Sequence, residues 1–297
     1  MAIDVKAALT AEPAVRDVAW TERDVAWTER DVMLYHLGLG AGGNAQDPAE
    51  LRWVYEKDLL VLPTFALVAG QGISAGDAPA AGLSLPGIDI DLRKILHGGQ
   101  SLTVHAPIPP SGGARVSSRV ADVWDKGKAA VIVLEQTATD SGGNPLWTTG
   151  MQIWARDEGG FGGSPGPESV ATVSAREPDK VLVSRTGTAQ ALLYRLSGDL
   201  NPLHADPEFA AVAGFERPIL HGLASYGVVC KAVVDGMLDG DPTRLRHYAA
   251  RFAGSLYPGE TVETAVWHDG DRLTLRATCP DRDGQPVLTQ ATMEVSG

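Results

Sequence analysis

Alternating hydrophobic and polar positions mark strand-like segments in both halves of the chain. They are AAVIVLEQTATD at 129–140, LWTTGMQIWA at 146–155, RLTLRATC at 272–279 and PVLTQATMEV at 286–295. Turn-forming runs such as SGGN and DRDGQ separate the two members of each pair. This period-two pattern interrupted by Gly, Asn and Asp predicts an antiparallel hairpin at the end of each half.

An apolar segment with helical character precedes the strands in each half, at 61–70 and at 219–237. A helix followed by antiparallel strands, occurring twice, predicts an α+β fold of two antiparallel sheets, each wrapping a central helix. Nearer the N-terminus, Thr28 and Asp31 have the spacing of a capping box and predict a helix start. The glycines at 38–43 follow this helical pattern, so we expect them to end the helix rather than to bind a nucleotide.

The heptad RDVAWTE occurs at 16–22 and again, unchanged, at 23–29. A seven-residue repeat keeps Val and Trp roughly on one helical face and could extend the first helix by two turns. The alternative that we favour is a duplication tolerated near a chain terminus.

A segment rich in Gly, Pro and Ser, residues 159–169, divides the chain. Such composition without periodicity is typical of a linker. The flanking halves share short patterns at a nearly constant offset; for example, Trp124 precedes Gly127 as Trp267 precedes Gly270. We therefore predict two related domains, 1–158 and 170–297, that arose by duplication.

Composition narrows the functional classes. The chain has 297 residues, 44% of them hydrophobic, and a formal net charge of −12, which argues against binding to nucleic acids or anionic membranes. Its two cysteines lie in different segments, which argues against a disulfide framework or a cysteine-rich metal site. No uncharged apolar run is long enough to span a bilayer, and the N-terminus lacks the apolar core of a signal peptide. We expect a cytoplasmic protein.

The run YRLSGDLNPLHADPEFA, residues 194–210, carries the clearest chemical signal. Gly198 and Pro202 predict a tight turn rather than a regular element. Such a turn can direct Asp199, Asn201 and His204 into one small volume. A carboxylate and a nearby imidazole can share a water and transfer its protons, so we expect an acid/base pair here. The alternative is that Asp199 only caps the turn and that His204 lies at the surface.

His221 and Gly222 open the apolar segment that follows. A glycine in the first helical turn presents an unpaired N–H, and without a side chain it allows a carbonyl to approach closely. Gly222 is thus a candidate oxyanion donor; the alternative is a glycine kept for close packing. Asp199, His204 and His221 could also form a two-histidine, one-carboxylate metal site. We expect no metal and no other cofactor, and we assign His221 to packing and turn geometry.

The run from Tyr194 to His204 with Ala210, together with PILHGL at 218–223, resembles the signature of MaoC-like, (R)-specific type-2 enoyl-CoA hydratases. LPTF at 62–65, LHG at 96–98 and the linker resemble the degenerate N-terminal half of the two-domain actinobacterial members. The resemblance implies a double-hotdog fold, one active site per chain and a homodimer. The N-terminal half has no counterpart of the polar turn.

Carried over to this chain, the family pattern implies that Asp199 and His204 are a catalytic dyad, that Asn201 orients water and that Gly222 supplies the oxyanion-hole N–H. The apolar N-terminal segment containing Phe65 would then shape an acyl tunnel, although ordinary core packing explains it equally well. We expect four residues to bind the substrate, the arginines through coenzyme A phosphates: Tyr194, Phe65, Arg217 and Arg251.

The implied reaction is reversible hydration of trans-2-enoyl-CoA to (R)-3-hydroxyacyl-CoA, with the acyl-CoA thioester as partner. Two alternatives remain at this stage. The chain could dehydrate 3-hydroxyacyl groups on acyl carrier protein, or it could bind acyl thioesters without turnover. The intact set of Asp199, Asn201 and His204 argues against a binder that performs no chemistry.

Overall fold

A computed structural model of the chain describes residues 3–11, 14–18, 27–70, 82–85, 87–91, 94–167 and 176–297. The helices are α1 (Val5–Thr10), α2 (Glu29–Gly38), α3 (Pro48–Leu51), α4 (Gln190–Tyr194), α5 (Pro207–Val212) and α6 (Gly222–Met237). The strands of the N-terminal half are β1 (Ala14–Val18), β2 (Gly82–Leu85), β3 (Ile88–Asp91), β4 (Ile95–Val104), β5 (Ala114–Asp125), β6 (Ala129–Thr139) and β7 (Pro145–Arg156). Those of the C-terminal half are β8 (Lys180–Arg185), β9 (Leu245–Phe252), β10 (Thr261–Asp269), β11 (Arg272–Cys279) and β12 (Gln285–Val295).

The five strands that each half contributes to the main sheet are joined edge to edge. The order is β1-β5-β6-β7-β4-β9-β12-β11-β10-β8, all antiparallel, and β2 and β3 form a separate hairpin. The halves meet where β4 pairs with β9, with Leu102 opposite Tyr248. The predicted α+β class and hairpins are confirmed, and the two predicted sheets form one continuous surface.

Helix α6 is the central helix of the C-terminal half and begins three residues inside the predicted segment. Nine of its sixteen residues are buried, as expected for an apolar helix covered by a sheet. Tyr226 on α6 stacks on Tyr248 of β9 with ring centroids 3.8 Å apart, and its hydroxyl donates to the Tyr248 carbonyl at 2.8 Å. The face of the sheet that contacts α6 is called the inner face below.

The N-terminal half has no helix of this length at the predicted place. Segment 61–70 instead holds a five-residue 3₁₀ helix, Pro63–Leu67, whose residues are all buried. Proline is tolerated only in the first turn, and Gly70 leaves the helical region with φ of 72°. Too few residues lie between them for a long α-helix, so this half presents a short apolar plug to α6.

Helix α2 begins as predicted. Thr28 Oγ1 accepts from Asp31 N at 3.4 Å and Asp31 Oδ2 accepts from Thr28 N at 2.8 Å, which completes the capping box. The helix ends at Gly38, the first glycine of the expected run. The heptad duplication does not lengthen it, because residues 16–18 belong to β1 and α2 starts only at Glu29. Residues 19–26 lie outside the described part of the chain.

Residues 159–167 of the predicted linker contain no helix or strand, and 168–169 lie outside the described residues. Asp125, at the end of β5, fastens this segment: its carboxylate accepts from Gly160 N at 2.9 Å and Gly162 N at 2.7 Å. Both cysteines are free and buried. Among the described residues, no helix is long and apolar enough to cross a membrane.

Candidate active site

The polar turn lies between α4 and α5 and is built from consecutive side-chain-to-backbone hydrogen bonds. Gly198 has φ of 124°, which reverses the chain after α4. Asp199 Oδ1 accepts from Asn201 N at 3.1 Å, and Asn201 Oδ1 accepts from Leu203 N at 3.0 Å. Pro202 then starts a one-turn 3₁₀ helix that ends at His204. These Asx-type bonds hold the turn in one conformation.

His204 is buried at the bottom of this turn, with 8% of its surface exposed. Its Nδ1 lies 2.9 Å from the Ile219 carbonyl oxygen, so Nδ1 carries the proton and donates. The other nitrogen, Nε2, then has a free lone pair and lies 3.9 Å from Asp199 Oδ2. Burial is the main cause that lowers the pKa of His204, which keeps the ring neutral and able to accept a proton near neutral pH.

His221 supports both members of this pair. Its ring stacks on that of His204 with centroids 3.7 Å apart, and its Nε2–H donates to the Asp199 carbonyl oxygen at 3.2 Å. Burial, together with His204, lowers the pKa of His221 to about 4, so it is neutral too. The other side of the ring contacts Tyr194 at 4.9 Å. The predicted packing role of His221 thus extends to holding the backbone of Asp199.

Gly222 is the first residue of α6, and its N–H is one of the four that have no partner within a helix. The N-cap residue, His221, makes no side-chain hydrogen bond to the helix start. A Cβ at Gly222 would lie 3.2 Å from the Phe252 ring, a contact too tight for ordinary packing. Glycine at this position therefore leaves the backbone N–H unpaired, and no side chain of its own obstructs the approach to it.

His97 and Phe252 also reach this region, and neither was predicted from the sequence as a site residue. Their rings meet edge to face at 4.7 Å, and Phe252 in turn lies against Gly222. His97 is on β4 of the N-terminal half, and burial lowers its pKa to about 4 although Asp199 acts in the opposite direction. The LHG segment at 96–98 was the available signal, but its spacing alone did not indicate contact with the polar turn.

The alternative metal site meets its geometric condition. Asp199, His204 and His221 each offer a ligand atom, and these atoms all lie within 4.8 Å of one another. Each imidazole already uses one nitrogen for a backbone carbonyl, which leaves Nε2 of His204 and Nδ1 of His221. The same atoms suit a shared water, so the two alternatives need a chemical test.

Tyr194 and Phe65 are buried and are linked through the ring of Tyr35. Tyr35 lies 5.9 Å from Tyr194 and 5.6 Å from Phe65, and Phe65 also meets Trp27 edge to face at 6.3 Å. This aromatic row runs from the polar turn into the N-terminal half. Its place agrees with the expected apolar wall of a tunnel, which stays a prediction.

The predicted arginines lie apart from one another. Arg217 is exposed on the loop before α6, where Nη1 donates to the Pro258 carbonyl at 3.2 Å and the guanidinium stacks 4.8 Å above Tyr257. Arg251 is three residues beyond Tyr248 on β9 and therefore faces away from α6. A further arginine, Arg195, follows Tyr194 and lies close enough to His221 to help lower the pKa of His221. The structure thus brings Arg195 near the site, leaves Arg217 at its rim and does not bring Arg251 to it.

Comparisons with known proteins identify the class of this fold and site. Residues 25–157 match the MFE-2 hydratase 2 N-terminal domain, and residues 167–279 match the MaoC-like domain. A MaoC-like dehydratase from Phytophthora capsici superposes with a TM-score of 0.85 at 27% identity, covering 99% of each chain. Rv0216 of Mycobacterium tuberculosis, described as a double hotdog fold, gives a TM-score of 0.52 over 96% of this chain and 95% of its own. The double-hotdog prediction is confirmed.

Sequence relatives place the chain within that class. Enoyl-CoA hydratase ChsH3 of M. tuberculosis is 50% identical over 97% of this chain and 98% of its own length. Enoyl-CoA hydratase 2 of Arabidopsis thaliana, a peroxisomal protein, is 39% identical, covering 85% of each. 3-Hydroxyacyl-thioester dehydratase Y of M. tuberculosis is 38% identical over 85% of this chain and 86% of its own. The chain belongs to the two-domain MaoC-like hydratase 2 family, and the predicted resemblance is confirmed.

Proposed function

We propose that this protein is a hydro-lyase that reversibly adds water to trans-2-enoyl-CoA and forms (R)-3-hydroxyacyl-CoA. The observation that carries the proposal is the free Nε2 of His204 facing the Asp199 carboxylate beside the unpaired N–H of Gly222. The names of the relatives, enoyl-CoA hydratases and a 3-hydroxyacyl-thioester dehydratase, support the same reaction class.

In the hydration direction, one water is held between His204 Nε2 and Asp199 Oδ2. The 3.9 Å between these atoms is too long for a direct hydrogen bond, but both atoms can accept a hydrogen bond from the same water. As the water oxygen forms its bond to C3, the pair takes one proton and the C2–C3 π electrons move towards the thioester oxygen. The pair then returns a proton to C2, so that the elements of water are added.

The oxyanion that develops on the thioester oxygen needs a donor that is already in place. Gly222 N–H supplies it at the positive end of α6, where partial charge favours an anion. The amide NH₂ of Asn201 remains to orient the water, because its Oδ1 is used by Leu203 N. The backbone carbonyls of Ile219 and Asp199 hold the two imidazoles in the required tautomers.

Coenzyme A phosphates require cations at the mouth of the site. Arg195 and Arg217 are the candidates on the side of the polar turn. Charge reversal at Arg217 is expected to raise KM for crotonyl-CoA with little change in kcat, because the contact is equal in ground and transition states. An unchanged KM would remove Arg217 from the binding site.

The same chemistry in reverse defines the second candidate, a 3-hydroxyacyl-thioester dehydratase. One relative carries that name, and the same residues would serve hydration and dehydration. Rates on crotonyl thioesters of coenzyme A and of acyl carrier protein, measured side by side, identify the preferred carrier.

We also propose a homodimer in the cytoplasm. The family resemblance supports the dimer, which sedimentation equilibrium tests, and fluorescent tagging tests the compartment.

The direct test is the loss of enoyl-thioester absorbance on mixing the protein with crotonyl-CoA and then decenoyl-CoA, with chiral analysis of the product. Turnover to the (R)-alcohol that disappears in His204→Ala is the expected result. Chelation with EDTA is expected to leave turnover unchanged; loss on chelation and recovery with a divalent metal would instead support the two-histidine, one-carboxylate site. Tight binding of thioester without turnover would support the non-catalytic alternative.

A further inference from the structure

We propose that a cleft on the outer face of the main sheet is a second ligand site, and that it binds a nucleotide-like molecule with an aromatic ring and phosphates. The outer face is the side of the sheet turned away from α6. This proposal does not depend on hydratase activity, because the cleft and the polar turn lie on opposite faces of the sheet.

Strand register places the cleft. Tyr248 on β9 stacks on α6, so Ala249 and Arg251 project to the outer face. Gly99 of β4 lies directly opposite both Arg251 and Gln152 of β7, and directly opposite residues share a face. The cleft spans this central junction of the two halves, and its volume is about 540 Å³. Small-ligand sites typically have roughly 300–1,000 Å³.

The lining is cationic although the protein is acidic. Lys126, Arg251 and Arg272 line the cleft, and none of its lining residues is Asp or Glu, in a chain with a net charge of −12. Two carboxylates, Asp269 and Glu294, are the register partners of Arg272 on its two neighbouring strands, and both lie outside the lining. Arg251 contacts Gln290 only at the 3.5 Å limit. Local positive potential of this kind attracts a compact anion such as a phosphate.

Two tryptophans supply an aromatic surface beside these cations. Trp154 of β7 is half-buried and lines the cleft, with Val131 of β6 between it and Trp124 of β5. Trp124 is already covered on one side, since a Cβ at Gly166 would lie 2.3 Å from its ring. Trp154 has no ring partner among the described residues. Indole faces stack on nucleobases and other planar rings, which makes Trp154 the expected stacking surface.

The linker forms one wall of the cleft and is held in place. Pro165, Gly166 and Pro167 line it, and the Lys126 ammonium donates to the Pro165 carbonyl. Asp125 fixes the preceding glycines, as described above, and its N–H donates to the Ser164 carbonyl at 2.7 Å. A wall fastened at several points keeps the cations and the indoles at fixed separations, as a binding site requires.

Isothermal titration calorimetry with ADP, and separately with adenosine 3′,5′-bisphosphate, tests the proposal on the full-length protein. We expect saturable binding that weakens with added salt. Arg272→Ala is expected to weaken it at least tenfold, about 1.4 kcal/mol, and Trp154→Leu by a similar factor. Arg119→Ala is the matched control, because Arg119 lies outside the cleft and pairs with Glu135 at 2.6 Å. Its affinity should equal that of the wild type.

Two sources could supply this chemistry, a free nucleotide or the nucleotide end of a coenzyme A thioester. The opposite-face geometry favours the free nucleotide. Saturating ADP should then leave crotonyl-CoA hydration uninhibited, and Arg272→Ala should keep wild-type kcat and KM. Competition between ADP and crotonyl-CoA, with a raised KM in Arg272→Ala, would identify the coenzyme as the source and overturn the separate site. No binding, or equal binding to wild type, Arg272→Ala and Arg119→Ala, would overturn the cleft as a ligand site altogether.

Discussion

Each half of the molecule buries a histidine whose Nδ1 bonds to a backbone carbonyl, and the two histidines differ in the group that their second nitrogen faces. In the N-terminal half, His36 Nδ1 lies 2.6 Å from the Trp53 carbonyl oxygen, and Nε2 accepts from Leu62 N at 3.1 Å. In the C-terminal half, His204 Nδ1 bonds to Ile219, and Nε2 faces the carboxylate of Asp199. A ring with both nitrogens satisfied by backbone is structural, whereas one with a free lone pair next to a carboxylate can do proton chemistry.

The two halves also differ in the segments that surround the proposed site and its related place. The C-terminal half has a polar turn and a helix start without a side-chain cap. The N-terminal half has at the related place the exposed Asp58 and the buried plug Pro63–Leu67. These differences favour a division in which the C-terminal half carries the proposed reacting groups and the N-terminal half supplies packing, including His97 and Phe65 beside or near the site.

The largest expected difference between the halves is in the effect on kcat of replacing one carboxylate in each. Asp199→Asn keeps the shape of the turn but removes the carboxylate charge. The side chain can then no longer share the proton of the water with His204. Acid/base groups typically contribute roughly 10² to 10⁴-fold, so kcat for crotonyl-CoA should fall by about that factor. Asp58→Asn is the matched control: Asp58 is exposed with φ of 57°, a conformation that asparagine also tolerates.

Thermal unfolding of both variants should match the wild type, since neither side chain is buried. Equal turnover in Asp199→Asn and Asp58→Asn would remove the functional division between the halves. A fall in both would show that charge near the plug matters to the chemistry.

Gly222→Ala keeps the backbone N–H but adds a Cβ that hinders the close approach of the thioester oxygen, so kcat is expected to fall by up to about 10²-fold, the usual loss when one oxyanion donor is not used. The added Cβ would lie 3.2 Å from the ring of Phe252, so crowding is a second explanation. The double variant Gly222→Ala/Phe252→Leu separates the two, because the smaller side chain relieves the contact. Recovery of most activity in the double variant would contradict the oxyanion role and indicate a packing role for the glycine.

His36 and His204 should respond differently to acid. For His204, burial lowers the pKa below the usual 6.5, so kcat/KM should hold down to that pH and fall only as the pH drops through the lowered value. For His36, burial lowers the pKa to about 4, so between about pH 6.5 and 4 the unfolded chain binds a proton that the folded chain does not. Stability is therefore complete above this window and is lost as the pH falls through it.

One proton in such a window corresponds to about 1.4 kcal/mol of unfolding free energy per pH unit. His36→Gln is expected to reduce the slope of unfolding free energy against pH by up to that amount, whatever it costs at neutral pH. His105→Gln is the control, because His105 is exposed, and its slope should equal that of the wild type. The same slope in His36→Gln would show that other groups dominate acid unfolding.

Local patterns carried most of what the sequence predicted. The polar turn, helix α6 and the hairpins follow from side-chain periodicity and from Gly and Pro, which act over a few residues. The segment at 61–70 shows the limit, because its apolar residues fit a long helix or a short plug equally well. Only Pro63 and the positive φ of Gly70 decide between the two.

Contacts between distant segments were not predictable in this way. The pairing of β4 with β9 brings His97 to Phe252, and no local pattern encodes that register. The face of β9 on which Arg251 lies depends on how the strand sits against α6, so proximity in sequence to the motif was misleading. The stacking of His221 on His204 depends likewise on the packing of two loops.

The smallest expected effect concerns the N-terminal capping of α2 in one half and of α6 in the other. Thr28 caps α2, whereas His221 leaves the start of α6 uncapped, which keeps N–H groups available for a ligand. Thr28→Ala should lower the unfolding free energy by about 1 kcal/mol, the usual cost of an N-cap, while Thr28→Ser retains most of it. Neither should change kcat or KM, because the lost bonds lie in the half that packs. A fall in kcat for Thr28→Ala alone, at a temperature well below unfolding, would mean that the order of α2 is transmitted through Tyr35 and Tyr194 to the polar turn, and that the halves share the chemistry.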